Sequence, residues 1–311
     1  MAAYFDARRA RAAARLASLS GNHWYLAVNG LAYSVPAFAF SSSVRLEPIA
    51  EEPTRDELYA ALRHWEQARR ISAHINVFTH ELVIETRDGD DYGSQALLVG
   101  ERIANVLSVR TLSPIYVPAI ADHSWGTLAA ISDHRVTARE IHNYNSPTDF
   151  GLKGHNFGIH KPITPAEMQW VAAHFEAFSR LCEQERFRIA VEAYVDHRLQ
   201  TSARTAIATL WIGIEALMGV PQELSFRVAA YVASFLEQYG GERLAMHQRI
   251  REMYKTRSNA VHGSKADTMA FIGHAGEAKQ LLADLLCKVI EQGHIPKQET
   301  LDTLLFAGAM A

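Results

Sequence analysis

Residues 203–218 read ARTAIATLWIGIEALM and carry apolar side chains on almost every face of a helix. A helix that is hydrophobic all round is buried on all sides, so we predict that this segment is the central helix of a bundle. Gly219 and Pro221 follow it, and both residue types are typical of a helix end. Helical spacing of apolar residues continues on both sides of this segment, from Pro165 to Met310. The second half of the chain is therefore predicted to be all-α.

The first half of the chain has a different pattern. Residues 24–48 and 77–86 are rich in aromatic and β-branched residues, which favour strands, and helical patterns precede and separate them. Asn29-Gly30 lies between two such runs and is a hairpin signal. Residues 143–162 are rich in Gly, Asn and Pro and indicate a linker, and a capping box at residues 164–167 then starts a helix. We therefore predict an α+β fold, with a mixed α/β domain over residues 1–150, a linker over 151–163 and an α-helical domain over 164–311.

Composition limits the classes of function. The chain has 311 residues and a net charge of −3, which is not the profile of a strongly basic protein that coats nucleic acid, so a nucleic-acid site would have to be a local basic cleft. No uninterrupted apolar run approaches about 18 residues, so we expect no membrane span and a cytoplasmic protein. The 2 cysteines and 15 histidines have no convincing ligand spacing, so we expect no metal and no other cofactor.

Arg8, Arg11 and Arg15 fall on one stripe of the first helical pattern. Such a stripe of charge is most often a solvated face, and this is our expectation here. Contact with a phosphate is the alternative.

A short pattern near the end of the chain carries chemistry. Residues 257–263 read RSNAVHG and end a predicted helix with an arginine and a histidine. Arginine is a permanent cation that binds phosphate, and histidine exchanges a proton near neutral pH. Together they can cleave RNA without a metal: the 2′-OH attacks its own phosphodiester, His262 moves the protons and Arg257 stabilises the phosphorane. Ser258 and Asn259 lie on the His262 side of the helix and are predicted to support the pair.

Helical geometry places Arg257 and His262 about 140° apart, so one ideal helix does not bring both to one phosphate. Either the helix unwinds before Gly263 and frees His262, or two copies of the helix face each other across a two-fold axis and share a cleft. The second arrangement predicts a homodimer through the Arg257–His262 face. A purely structural role is the alternative, in which Arg257 offsets the helix dipole and His262 hydrogen-bonds the last carbonyls.

Glu215 is the one carboxylate in the apolar central helix. It lies near the C-terminal end of that helix, where the dipole disfavours a negative charge. Because a buried carboxylate without a partner is costly, we predict an ion pair with Arg257 or Arg227. A pair with Arg257 would orient the arginine of the motif.

Three segments, IATLWIGIEALMG, ELSFRVAAYVASFL and IREMYKTRSNAVHG, together resemble the HEPN superfamily, and within it the Apea-like branch. The resemblance covers roughly residues 185–295. It implies an α-helical bundle, a homodimer through the motif face and, in active members, a metal-independent endoribonuclease of toxin–antitoxin, abortive-infection or anti-phage systems. The arginine and histidine of the family fall on Arg257 and His262, and Ser258 stands where many active members carry Asn, Asp or His.

Two functions follow from these observations. We predict an endoribonuclease with RNA as its substrate, with Arg257 and His262 as catalytic residues. Ser258, Asn259 and Glu215 support them, and an antitoxin or an activator is the expected protein partner. The alternative is a non-catalytic module for dimerisation or nucleotide binding, in which the arginine–histidine pair is structural. Residues 1–150 resemble no family and are predicted to be a sensor or targeting domain.

Overall fold

The computed structural model of this chain describes residues 2–19, 22–32, 34–72, 78–86, 93–141, 162–200, 202–220, 224–262 and 268–307. They have the α+β content predicted from the sequence. The chain divides into two compact units, of which the first contains Met1–Asn145 and Gly158–Ala173 and the second contains Ser146–Phe157 and His174–Ala311. Most of the predicted linker over residues 151–163, together with Gly263 of the motif, lies outside the described residues.

The first unit is built on an antiparallel sheet. Its strands are β1 (His23–Asn29), β2 (Phe38–Ala39), β3 (Val44–Pro48), β4 (His80–Glu85), β5 (Tyr116–Ala121) and β6 (Ala138–Glu140). These six described strands form one sheet in the order β2-β3-β4-β1-β5-β6. The two central strands, β1 and β4, pair from His23 opposite Glu85 to Val28 opposite His80, so the longest strand pairing lies in the middle of the sheet.

The hairpin predicted at Asn29-Gly30 is wrong, because β1 pairs with β4 and β5 and not with the next strand in the chain. Gly30 has a φ of 95°, which favours glycine. A Cβ atom at this position would lie 2.3 Å from the carbonyl oxygen of Pro114. Glycine is therefore required at this position because two backbone segments approach closely. The Asn-Gly dipeptide by itself does not distinguish such a close approach from a two-residue turn.

Helices cover the sheet of the first unit. They are α1 (Ala2–Ser18), α2 (Arg55–Ala61), α3 (Trp65–Ile71) and α4 (Ser94–Thr111), with a 3-10 helix at Trp125–Ala130. Trp125 is fully buried and its ring meets that of Phe78 edge to face, with the ring centroids 5.3 Å apart. The predicted capping box is confirmed: Glu167 N–H donates to the Thr164 hydroxyl at 3.2 Å, and α5 (Pro165–Leu181) begins there.

The arginine stripe of α1 faces carboxylates. Arg8 is buried, and its Nε donates to Glu57 at 2.9 Å. Arg15 donates from Nη2 to Glu81 at 2.6 Å, and Glu81 is a fully buried residue of β4. The expectation of a solvated face is therefore wrong for Arg8 and Arg15 and holds only for Arg11, which is exposed. Spacing identified the shared face, but it could not identify what lies opposite that face.

The second unit contains only helices among its described residues. They are the end of α5, α6 (Glu185–Asp196), a 3-10 helix (His197–Leu199), α7 (Ala203–Met218), α8 (Leu224–Leu236), α9 (Gly241–His262), α10 (Thr268–Gln292) and α11 (Gln298–Ala307). α7 packs against α6, α8, α9 and α10, so the prediction of a central helix is confirmed. The expected burial on every side is wrong, because Thr205 and Ile212 of this helix are exposed. Gly213 of α7 allows this packing, because a Cβ atom there would lie 3.0 Å from Ala193 of α6 and 2.9 Å from Leu282 of α10. None of the described helices combines the length and the apolar character that crossing a membrane requires.

Candidate functional site

The predicted site residues lie on two neighbouring helices of the second unit. Arg257, Ser258 and Asn259 belong to the last turns of α9, and His262 is the final residue of that helix. Glu215 lies near the C-terminal end of α7. The structure describes the backbone of His262, and the side chain of this residue lies outside the described part. Because α9 is helical as far as His262, it does not unwind before this residue.

Arg257 and Glu215 form the ion pair predicted from the sequence. Nη2 of Arg257 lies 3.4 Å from Oε1 of Glu215. The two side chains are 23% and 19% exposed, so water screens their attraction only in part. Arg227 was the other predicted partner, and its Nη2 donates to the hydroxyl of Tyr231 at 2.7 Å. The glutamate in the apolar helix therefore holds the arginine of the motif.

Tyr254 belongs to the same site, although it was not predicted from the sequence. Its hydroxyl donates to Oε1 of Glu215 at 3.2 Å, and Cζ of Arg257 lies 5.5 Å from the centroid of its ring. Burial and then the charge of Glu215 raise the pKa of Tyr254, so its hydroxyl stays a donor at neutral pH. The signal was its position three residues before Arg257, which places both side chains on one face of a helix.

Trp211 fixes the tyrosine in turn. Its fully buried ring meets the ring of Tyr254 edge to face, with centroids 5.0 Å apart and planes at 85°. Aromatic pairs favour this geometry, in which the positive edge of one ring meets the negative face of the other. We refer to Trp211, Glu215, Tyr254 and Arg257 as the Arg257 cluster. The cluster joins α7 to α9 and sets the position of the guanidinium.

Arg257 keeps hydrogen-bonding capacity within this cluster. Its Nε–H is buried and has no hydrogen-bond partner among the described residues. A buried donor without an acceptor costs about 1–3 kcal/mol. Glu215 neutralises the charge of the guanidinium, and the planar group still has donors for a further acceptor, such as an oxygen of a phosphate.

Arg204 holds the C-terminal end of α9. Its Nη1 donates to the carbonyl oxygens of Asn259 at 3.4 Å and Ala260 at 3.2 Å. Its Cζ also lies 4.2 Å from the centroid of the Phe271 ring. A cation bound to the last carbonyls offsets the negative end of the helix dipole. In the structural alternative Arg257 offsets this dipole and His262 hydrogen-bonds the last carbonyls. Arg204 makes such carbonyl contacts, and the side chain of His262 lies outside the described residues.

An exposed apolar surface adjoins the Arg257 cluster. Ile212 lies three residues before Glu215 on α7 and is 53% exposed. Val261 lies four residues after Arg257 on α9 and is 50% exposed. Residues at these spacings share one side of a helix, so the two apolar side chains flank the ion pair. We refer to Ile212, Glu215, Arg257 and Val261 as the α7–α9 face.

Metal ligands are not grouped within the described residues, where no set of three or more His, Cys, Asp or Glu side chains is placed to hold an ion. His123 lies 2.7 Å from Asp122, and His134 contacts the carbonyl of Leu62 at 3.3 Å. The histidines that precede or belong to the predicted linker, His142, His155 and His160, lie outside the described part. A comparison with known proteins finds no matching family model and no similar curated protein or solved structure.

Proposed function

We propose that this chain is a metal-independent endoribonuclease of the HEPN type that acts in the cytoplasm. The ion pair between Arg257 and Glu215 carries the proposal, because it fixes a guanidinium on the helix that ends at His262. A catalytic arginine must be held in place before the substrate binds, since preorganised charge is what stabilises a transition state. A glutamate on the central helix, at the unfavourable end of its dipole, has a physical reason to be there if it performs this task.

The proposed reaction needs only the groups of the motif and the RNA. The 2′-oxygen attacks phosphorus, the bond from phosphorus to the 5′-oxygen breaks, and a 2′,3′-cyclic phosphate forms. His262 accepts the proton of the 2′-OH, and a protonated imidazole returns one to the 5′-oxygen. Arg257 binds the phosphorane, which carries more negative charge than the substrate. Ser258 and Asn259 supply hydrogen bonds at the edge of the site.

A homodimer through the α7–α9 face completes this proposed site. Arg257 and His262 point about 140° apart on one helix, so two copies of α9 across a two-fold axis supply both groups to one phosphate. The exposed Ile212 and Val261 support this arrangement, because they provide apolar surface that a second copy can bury. We propose that RNA binds in the cleft between the copies, that residues 1–150 sense or target the substrate, and that an antitoxin or activator controls cleavage in defence against phage or in a toxin–antitoxin pair.

A second function has an observation in its favour. Arg257 is only 23% exposed, because Glu215 and the ring of Tyr254 cover it. A guanidinium covered in this way suits a non-catalytic module for dimerisation or nucleotide binding, in which the cluster joins α7 to α9. The two functions predict different effects of replacing His262. The enzyme loses RNA cleavage, whereas the non-catalytic module shows no change in RNA cleavage.

The decisive experiment measures cleavage of labelled RNA by the purified full chain in EDTA. We expect His262→Ala and Arg257→Ala to lower the rate by roughly 10²–10⁴-fold, the range for loss of a general acid–base or of transition-state charge stabilisation. His294→Ala and Arg188→Ala are the matched controls, because both residues are exposed in the same unit. Parallel reactions contain lysate of phage-infected cells, which supplies an activator.

RNA cleavage and melting temperature together decide between the two functions. If RNA stays intact in every reaction, or if His262→Ala cleaves as fast as the parent, this site is not a ribonuclease centre. A lower melting temperature for Arg257→Ala, without any change in RNA cleavage, would assign the cluster to the non-catalytic module. A loss of cleavage at an unchanged melting temperature supports the enzyme.

A further inference from the structure

A cavity of about 510 Å³ lies at the opposite end of α9 from the motif. It is lined by residues of α8, α10 and α11, by residues 237–239 between α8 and α9, and by Arg243 in the first turns of α9. Arg243 precedes Arg257 by 14 residues, which is about 21 Å along a helix axis. The cavity is therefore separate from the proposed ribonuclease site, and its volume falls within the range of pockets that bind small molecules.

Two buried polar groups of this cavity have no hydrogen-bond partner among the described residues. Ser234 is 2% exposed, and its hydroxyl makes no hydrogen bond with the described residues. A serine within a helix ordinarily bonds the carbonyl four residues earlier, and Ser234 does not. Oε1 of Gln292 is also buried without a partner among these residues. Buried polar groups are nearly always satisfied in folded proteins, and a ligand in the cavity is one way to satisfy two such groups on its lining.

Two cations lie beside these polar groups. Nζ of Lys288 donates to the carbonyl of Leu236 at 3.2 Å, and burial lowers the pKa of this lysine. Arg243 is buried and donates to the carbonyls of Glu237, at 3.1 and 2.9 Å, and of Leu304, at 2.7 Å. An ammonium group has three N–H donors and a guanidinium has five, so both cations retain donors beyond these bonds.

A role in capping α8 explains only part of this arrangement. Lys288 and Arg243 both bind carbonyls at the C-terminal end of α8, where cations are favourable. Capping does not account for the unpaired oxygens of Ser234 and Gln292 or for the space between them. The lining includes one acidic residue, Glu237, beside the two cations, and Glu291 acts on Lys288 by its charge from outside the lining. A ligand with one negative end and a hydrogen-bonding group suits this lining.

We propose that this cavity binds a small organic oxyanion, a carboxylate or a phosphate ester. Its charged end lies on Lys288 and Arg243, and its hydroxyl or amide groups pair with Ser234 and Gln292. The apolar part of the ligand packs on Phe235 and Leu304, which line the same cavity. The site stands independently of the ribonuclease proposal, because none of its residues belongs to the Arg257 cluster.

Titration calorimetry on the full chain tests this site with three probes at constant ionic strength: inorganic phosphate, glycerol 3-phosphate and citrate. We expect at least one probe to bind with a Kd below about 1 mM. Lys288→Gln and Ser234→Ala should each weaken binding at least about tenfold. Lys297→Gln is the matched control, because Lys297 is exposed and its replacement changes the net charge equally. A response to citrate alone identifies a carboxylate ligand, and a response to glycerol 3-phosphate alone identifies a phosphate ester.

The proposal is overturned if no probe saturates by about 10 mM, or if a probe binds and both cavity variants retain the parental affinity. Should Lys288→Gln fail to fold, Ser234→Ala decides, since it removes one oxygen and no charge. Hydrogen exchange gives a second readout on the parent: the bound probe should slow exchange at residues 234–239, and protection confined to any other segment counts against this cavity. RNA cleavage is not measured, so failure here leaves the ribonuclease proposal untouched.

Discussion

Arg257 on α9 and Glu215 on α7 form an ion pair, with 3.4 Å between Nη2 and Oε1. The same oxygen accepts the hydroxyl of Tyr254 at 3.2 Å. Glu215 is close to the end of α7, where the dipole opposes its charge, so its two partners compensate for an unfavourable position. The pair thus couples the position of the motif arginine to the central helix of the unit.

Glu215→Gln tests this coupling. The substitution keeps the shape of the side chain and removes its charge, so Arg257 loses its ionic partner. We expect the free energy of unfolding to fall by about 1 kcal/mol or less, because the pair is partly exposed. RNA cleavage should fall at least about tenfold if the guanidinium must be held in place for catalysis. Urea titration and the EDTA cleavage assay measure the two effects.

Glu192→Gln is the control for that substitution, because Glu192 is an exposed carboxylate that lies 3.7 Å from Arg188 on α6. It should change neither stability nor cleavage. If Glu215→Gln lowers stability and cleavage no more than this control does, Glu215 has no positioning role.

Tyr254→Phe isolates the hydrogen bond to Glu215. It removes one oxygen and keeps the ring beneath Arg257 and against Trp211. We expect a loss of about 0.5–1.5 kcal/mol in the free energy of unfolding. In a double-mutant cycle with Glu215→Gln, the loss of stability in the double variant should differ from the sum of the two single losses by at least about 0.5 kcal/mol. Additive losses would mean that the hydroxyl and the carboxylate do not stabilise each other.

The Arg257–Glu215 pair could be predicted because burying a carboxylate without a partner is unfavourable in free energy. One carboxylate in a segment that is otherwise apolar must find a cation, and Arg257 and Arg227 were the two candidates taken from the neighbouring patterns. Tyr254 was not predicted because its role depends on the distance between α7 and α9, and the sequence of one helix does not give that distance. Arg204 was not predicted for the same reason, since it binds backbone carbonyls and these carry no signal in the sequence.

The first unit shows the same limit for charged residues. The spacing of Arg8 and Arg15 correctly placed them on one side of α1, yet both bind carboxylates of the same unit. A fully buried glutamate in β4 is visible in the sequence only as one charge within an apolar run. Periodicity therefore predicts which residues share a face, whereas the partners of that face depend on the tertiary fold.

Ile212→Glu tests the proposed dimer. It places a charge in the middle of the α7–α9 face, next to Glu215, where a second copy would bury it. We expect the dimer to dissociate, with a monomeric mass in light scattering at concentrations where the parent is a dimer. Leu199→Glu is the control, because Leu199 is also an exposed apolar residue of this unit and lies outside that face. If the parent is itself a monomer, or if the Ile212→Glu variant remains a dimer, the α7–α9 face is not a dimer interface.

His197 should make the second unit sensitive to acid. It is buried, and its Nδ1–H donates to the carbonyl of Tyr194. Burial, with the charge of Lys279, lowers the pKa of His197 to about 3, well below the 6.5 of an exposed histidine. Between those two values the unfolded chain binds a proton that the folded chain does not, so stability is lost as the pH falls below about 6.5. At pH 5 the loss from this residue is about 2 kcal/mol.

His197→Gln removes this titration and keeps a donor for Tyr194. The variant is expected to lose less stability than the parent between pH 7 and pH 5, by about 2 kcal/mol in urea titrations. His294→Gln replaces an exposed histidine of the same unit and should keep the parental pH dependence. Equal pH dependence for the parent and His197→Gln would show that His197 is accessible to protons in the folded chain, against its burial between α6 and α7.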